Sequence, residues 1–252
     1  LEQGRNFNNK MWNALKLVKM WQEKGNIESS PSTESFAVLW FKQRLEQAKT
    51  EVDELMSQWR LSEALKNIYS LIWDDFCSWY LEWIKPASGE KLSTHTYEQT
   101  KLFFTELLHL LHPFMPFITE EIYHLLDERE IDLCIRQYCA IHIANTEMLQ
   151  HGITLQKTIT AIRDCRNKNH IKPKEPIHIY IMDTGKKDFD MVLPILLKQV
   201  NATSVNWISM PPQGLIPMMI DKNQIFIEPT VPHDNSLQKG ELTKELEYLK
   251  GF

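Results

Sequence analysis

The sequence predicts a mainly α fold: a helical bundle, then a small α+β domain, then a truncated C-terminal helix. Three observations predict it. Up to about residue 130, apolar residues recur at three- and four-residue steps, with Pro and Gly confined to the joints. Between about 151 and 230, short β-branched runs alternate with helical ones. From Glu241, Leu242, Leu246 and Leu249 restart a helical stripe that stops before it could bury against anything. The expected organisation is residues 1–130 as the bundle, 131–150 as an irregular connection, 151–230 as the α+β domain, and 231–252 as a linker and the beginning of a further helix. A first residue that is Leu, inside a pattern already running by Arg5, makes the chain read as part of something longer.

The bundle is expected to hold up to five helices. Arg5 to Lys24 is closed by Gly25, and a second helix starting near Pro31 carries Phe41, Leu45, Ala48, Val52, Leu55 and Trp59 at helical spacing. A third, Ser62 to Lys85, repeats Leu65, Ile68, Ile72, Phe76, Trp79 and Trp83 and stops before Pro86. The fourth, Thr96 to His112, halts before Pro113, and the fifth runs from Phe117 to Glu128 after Pro116. Ile153 to Asn169 is one more helix, followed by a strand at Ile177–Met182 and a helix over Phe189–Gln199 that Pro194 interrupts early. Strands follow at Ser204–Ser209, Ile216–Ile220 and Gln224–Ile227, the last two joined by the turn Asp221, Lys222, Asn223.

Composition excludes several functions. At 252 residues, 43% hydrophobic and 24% charged, the chain is an ordinary globular one, and no run approaches the roughly 20 apolar residues of a membrane span. The closest two of the eight glycines are 11 residues apart, so neither a dinucleotide fingerprint nor a GxxxxGK phosphate loop can be written. Four cysteines and no secretory signal point to free thiols in a reducing cytoplasm.

The first helix is unusual. Phe7, Met11, Ala14, Leu15, Val18 and Trp21 fall on one side, with Arg5, Asn6, Asn9, Lys10, Asn13 and Lys16 on the other. Four asparagines within eight positions oppose helix propensity, where a merely wet face is normally Glu, Lys and Gln. The amides either cap neighbours and solvate a surface, or hydrogen-bond base edges, Asn being the side chain that matches adenine's paired donor and acceptor. Residues 1–24 carry five cations against two acids and residues 157–174 six against one, whereas 117–132 carry six acids against Arg129. Basic faces suit a phosphate partner, although such runs are commonly only solvated surface. Trp73, Trp79 and Trp83 read as core, while Trp12 projects near Lys16 and Lys19 at the edge of the polar side, a position open to base stacking.

Catalytic signals are weak. Cys134, Cys139 and His142 with His112 or His124 lack a second well-spaced pair, so no metal is expected. Asp74/Asp75 and Glu120/Glu121 are helix neighbours that point apart, so neither brackets a substrate. No catalytic residue is assigned.

Three stretches together carry a resemblance: Gly4-Arg5-Asn6-Phe7-Asn8-Asn9-Lys10-Met11-Trp12-Asn13-Ala14; Trp73 to Glu82 with Lys85-Pro86; and Leu110 to Glu121, which reads LLHPFMPFITEE. In that order and spacing they resemble the anticodon-binding helical bundle of valyl-tRNA synthetases, which are class I aminoacyl-tRNA synthetases. The resemblance departs at Tyr138-Cys139, where the family usually has Trp-Pro, and at Leu17, where some relatives carry a Phe able to stack. It implies an anticodon-binding bundle, a small α+β domain and the start of a C-terminal helical arm. It further implies ATP-dependent attachment of valine to tRNA by the full-length protein, with ATP and magnesium in a catalytic core outside this chain, since neither signature loop of that core occurs here. For the chain itself it implies no cofactor, and as partners the anticodon loop and stem of a valine tRNA and its own catalytic domain, in a cytoplasmic monomer of protein biosynthesis. The tRNA-binding residues expected are Arg5, Asn6, Asn9, Lys10, Trp12, Asn13, Lys16, Leu17, Arg163, Arg166 and Lys168. The alternatives are a helical protein-interaction module that binds no nucleic acid, and the equivalent region of an isoleucyl-tRNA synthetase, whose cysteine-rich zinc segment is absent.

Overall fold

The computed structural model describes residues 2–23, 32–128, 130–138, 140–183, 189–210 and 214–230. The chain divides into two compact units, Leu1–Gln156 and Lys157–Phe252, a boundary six residues beyond the one the sequence suggests.

In the first unit α1 (Glu2–Glu23) and α2 (Ser32–Ser57) precede a continuous run of α3 (Leu61–Ser70), a π-helix (Leu71–Tyr80) and α4 (Leu81–Ile84), followed by α5 (Thr94–Leu111) and α6 (Pro116–Leu126). Local chemistry sets the boundaries. The Ser93 hydroxyl accepts the Thr96 N–H at 3.1 Å and starts α5, and Pro116 opens α6 where its missing donor costs nothing. The core is aromatic: the Phe41 ring lies 5.3 Å from Phe76, 4.9 Å from Tyr80 and 5.2 Å from Phe103, and the Tyr80 hydroxyl shares a 2.8 Å hydrogen bond with Thr100.

Ser62 to Lys85 is therefore not the single α-helix expected. Ile68, Ile72, Phe76, Tyr80 and Ile84, at unbroken steps of four, are all buried. In an α-helix of 3.6 residues per turn such a stripe drifts about 40° at each step. The wider i→i+5 turn, seen where the Leu81 N–H reaches the Phe76 carbonyl, reduces that drift and holds the stripe against α2. Trp59 also departs from expectation. It lies beyond the end of α2 at φ 60°, 84% exposed, because the turn into α3, closed by Arg60 N–H to the Leu55 carbonyl at 2.9 Å, swings it off the stripe.

Between α6 and residue 145 the described residues are irregular apart from a 3-10 turn at Leu133–Ile135, yet they are tied down. Arg136 pairs with Glu106 at 2.9 Å, and Glu106 pairs with buried Lys49 at 3.2 Å. The Tyr138 ring stacks on His109 at 3.8 Å, and the His142 N–H donates to Glu46 at 2.7 Å. Burial depresses the His109 pKa, with Glu106 opposing, and raises that of the Tyr138 phenol. The next helix, α7 (Thr146–Lys168), starts seven residues earlier than expected, since Asn145 accepts the Met148 N–H at 3.1 Å and caps it.

The second unit contains β1 (Ile177–Met182), α8 (Leu193–Gln199), β2 (Ala202–Ile208), β3 (Ile216–Ile220) and β4 (Asn223–Pro229), with strand order β2-β1-β4-β3. β1 pairs parallel with β2 and antiparallel with β4. Asp221, at φ 50°, makes the two-residue turn between β3 and β4. α8 begins only at Leu193 because Pro194 is tolerated in a first turn and nowhere later. The expected linker and beginning of a further helix over residues 231–252 lie outside the described residues. No described helix is long and apolar enough to cross a membrane.

Candidate nucleic-acid interface

α1 is seated by its apolar side. Phe7, Met11, Ala14, Leu15, Val18 and Trp21, the six residues expected there, are all buried. Phe7 stacks on Tyr69 at 4.8 Å and faces Trp73 at 6.4 Å, while Tyr69 and Trp73 stack on each other at 5.6 Å, making an aromatic shelf under the start of the helix. The helix is thereby fixed in rotation, and its opposite side is fixed with it.

That opposite side presents Asn6, Asn9, Asn13 and Lys16, all exposed, at steps of three, four and three that align them in one row, with exposed Arg5 at its margin. Trp12 and Leu17, both half-buried, flank the row on opposite sides. Asn8, the fourth asparagine, is instead half-buried, its Oδ1 shut away from solvent and unpartnered. Three primary amides spaced by about one turn present paired donors and acceptors, the groups that recognise the edges of unpaired bases.

Two of the expected residues are engaged by partners within the chain. The Lys10 ammonium is turned toward the π-helix, 4.1 Å over the Trp73 ring and 2.8 Å from the Ser78 hydroxyl, which itself donates to the Trp73 carbonyl at 2.8 Å. Its charge anchors α1 by a cation–π contact and a hydrogen bond. Beside it the Cys77 thiol is pushed up to about 12 by burial, with Lys10 pulling the other way. Arg166 is only 4% exposed and donates to the carbonyls of Lys172 at 2.8 Å, Glu175 at 2.9 Å and Val200 at 2.7 Å. Burial lowers its pKa, and Glu175 opposes that shift. It braces the second unit from inside and presents no fork to a phosphate. On the same helix Arg163 and Lys168 are exposed, Arg163 donating to Gln199 at 3.0 Å.

Residues 39–181 match the family described as the anticodon-binding domain of tRNA ligase, more than half of the chain. The chain belongs to that family. It is 39% identical to a valine–tRNA ligase of Porphyromonas gingivalis and 37% identical to one of Bacteroides fragilis, in both cases over its whole length. A valine–tRNA ligase of Thermus thermophilus is 31% identical over 72% of the chain and 20% of its own length. The chain spans 28% and 29% of the first two relatives.

Two features of this anticodon-binding domain went unseen in the sequence. The first is the Tyr69–Trp73 shelf, whose two rings each follow by one position a member of the four-residue repeat, Ile68 and Ile72. The second is a cluster of Glu120, His124 and Asp132, whose candidate ligand atoms lie within 4.8 Å of one another. By spacing alone His124 groups with cysteines instead, of which Cys139 lies outside the described residues.

Proposed function

We propose that this chain is the anticodon-reading part of a valine–tRNA ligase, and that the exposed amide row of α1 does the reading. Valine codons begin GU, so the second and third anticodon bases are A and C. In this reading Asn9 and Asn13 address the edges of those bases, with Asn6 extending the row and Trp12 offering a stacking face at its flank. Arg5 and Lys16 neutralise neighbouring phosphates, and Arg163 and Lys168 lie along the stem. The full-length protein activates valine with ATP and magnesium and transfers it to tRNA in a catalytic core outside this chain. The observation that carries the reading is the orientation of α1: the amides at 6, 9 and 13 are exposed because the six apolar residues opposite them are buried.

The test is a binding titration with valine and isoleucine tRNAs at two salt concentrations. Asn13→Ala lies on an exposed position and is expected to leave folding intact while weakening valine tRNA by ~1 to 3 kcal/mol, about 5- to 150-fold. Discrimination at one anticodon base relaxes with it. Equal losses for both tRNAs would remove base reading, an affinity indifferent to salt would remove the phosphate contacts, and binding of neither tRNA at either salt concentration would leave a protein-interaction surface.

A further inference from the structure

At the end of α5 and along α6, an open cleft of about 390 Å³ is lined by His112, Pro116, Phe117, Glu120, Glu121, His124 and Cys134. Glu120 and His124 are one turn apart on the same face of α6, and Asp132 closes on them from the segment that follows the helix. His124 Nε2 lies 3.2 Å from Glu120 Oε1 and 3.0 Å from Asp132 Oδ1. Its single ring hydrogen cannot be aimed well at both oxygens. The Leu133 N–H already occupies Glu120 Oε1, at 2.6 Å.

His112 lies beside the cluster. Its Nδ1 shares a 2.8 Å hydrogen bond with the Thr119 hydroxyl, which also lies 2.9 Å from the Met115 carbonyl and 3.1 Å from the Pro116 carbonyl, and its Nε2 faces Glu120 Oε2 at 3.9 Å. Two carboxylates therefore converge on one imidazole nitrogen, with a second imidazole nitrogen close by, in a stretch carrying six acids against one arginine.

We infer that Glu120, His124 and Asp132 form a site for one divalent transition-metal ion of the zinc class, with His112 Nε2, 3.9 Å from Glu120, as a further nitrogen beside it. Imidazole with carboxylate suits zinc, whose ligand distances of about 2.0 to 2.2 Å put tetrahedral donor atoms roughly 3.4 Å apart; His124 Nε2 lies 3.2 and 3.0 Å from the two carboxylates, and all three ligand atoms lie within 4.8 Å of one another. The Thr119 bond fixes the His112 ring as an outer-shell partner does. Bound there, the ion staples the segment after α6 to the helix; it plays no part in the proposed base reading.

The test uses the 252-residue chain, stripped with chelator and titrated with zinc by calorimetry and with cobalt(II) by visible absorption. One equivalent is expected to bind, with cobalt d–d bands of a low-coordinate site, and saturating zinc is expected to raise the thermal midpoint. His124→Gln and Glu120→Gln should each weaken binding at least about tenfold and abolish the midpoint shift, whereas His151→Gln should change neither. Should His124→Gln fail to fold, Asp132→Asn on the exposed segment carries the same readout. No uptake of zinc, or uptake unchanged in these variants, overturns the site and leaves only the hydrogen bonds and ion pairs among these side chains.

Discussion

Replacing Arg166 by Met separates a structural arginine from a phosphate contact. The Met side chain keeps much of the aliphatic volume and removes all three carbonyl bonds. The bond to Val200 is buried, so its carbonyl loses a charge-assisted partner with no water to replace it, at a cost of about 2 to 3 kcal/mol. The carbonyls of Lys172 and Glu175 are partly accessible and can rehydrate, which limits each loss to about 0.5 to 1 kcal/mol. The second unit should therefore lose ~3 to 5 kcal/mol, a fall of roughly 2 M in urea midpoint for a slope near 2 kcal/mol/M. Hydrogen exchange of the β1–β4 amides reads this directly, since loss of protection there is distinct from unfolding of the bundle. Arg166→Lys should recover only part of the loss, because one ammonium cannot reproduce the planar fork. Normal exchange protection in Arg166→Met, together with a salt-dependent drop in tRNA affinity, would refute the bracing role and restore the phosphate contact.

Two further outcomes follow from the packing. A Cβ at Gly152 would stand 2.0 Å from Trp40 Nε1 and 2.2 Å from Cδ1, and Trp40 is held 4.6 Å from the Trp83 ring. Gly152→Ala should thus lose about 1 to 3 kcal/mol in chemical denaturation despite gaining ~1 kcal/mol of helix propensity, and a stabilised variant would show that Trp40 yields freely. For the thiols, a Cys77 pKa of about 12 leaves about one thiolate in ten thousand at pH 8, so peptide mapping after brief alkylation should find exposed Cys134 labelled well ahead of half-buried Cys77; equal labelling would contradict the raised Cys77 pKa.

The parts of the fold that rest on a single periodicity were legible. α1 announced its buried side residue by residue, and β1 and β3 their full extents, because apolar spacing and β-branching act locally. The π-helix was hidden because steps of four also occur in α-helices, and only their unbroken repetition from Ile68 to Ile84 distinguishes a wider turn. α7 began early because its cap, Asn145, reports on a hydrogen bond and not on apolar spacing.

Charges were the least legible, for a physical reason. A sequence states where a cation is, while its availability depends on acceptors brought close by the fold. Lys10 and Arg166 sit in basic stretches like Lys16 and Lys168, yet one meets an aromatic face and a hydroxyl and the other three carbonyls. The amides of α1 escape that ambiguity, since their exposure follows from the burial of Phe7, Met11, Ala14 and Leu15 on the same rigid helix. With Lys10 turned to the π-helix, Arg5 and Lys16 are the exposed cations around the row. Under the proposed reading, two phosphates neutralised by them would give a salt slope near −1.4 for a single strand, so the amides would carry most of the recognition.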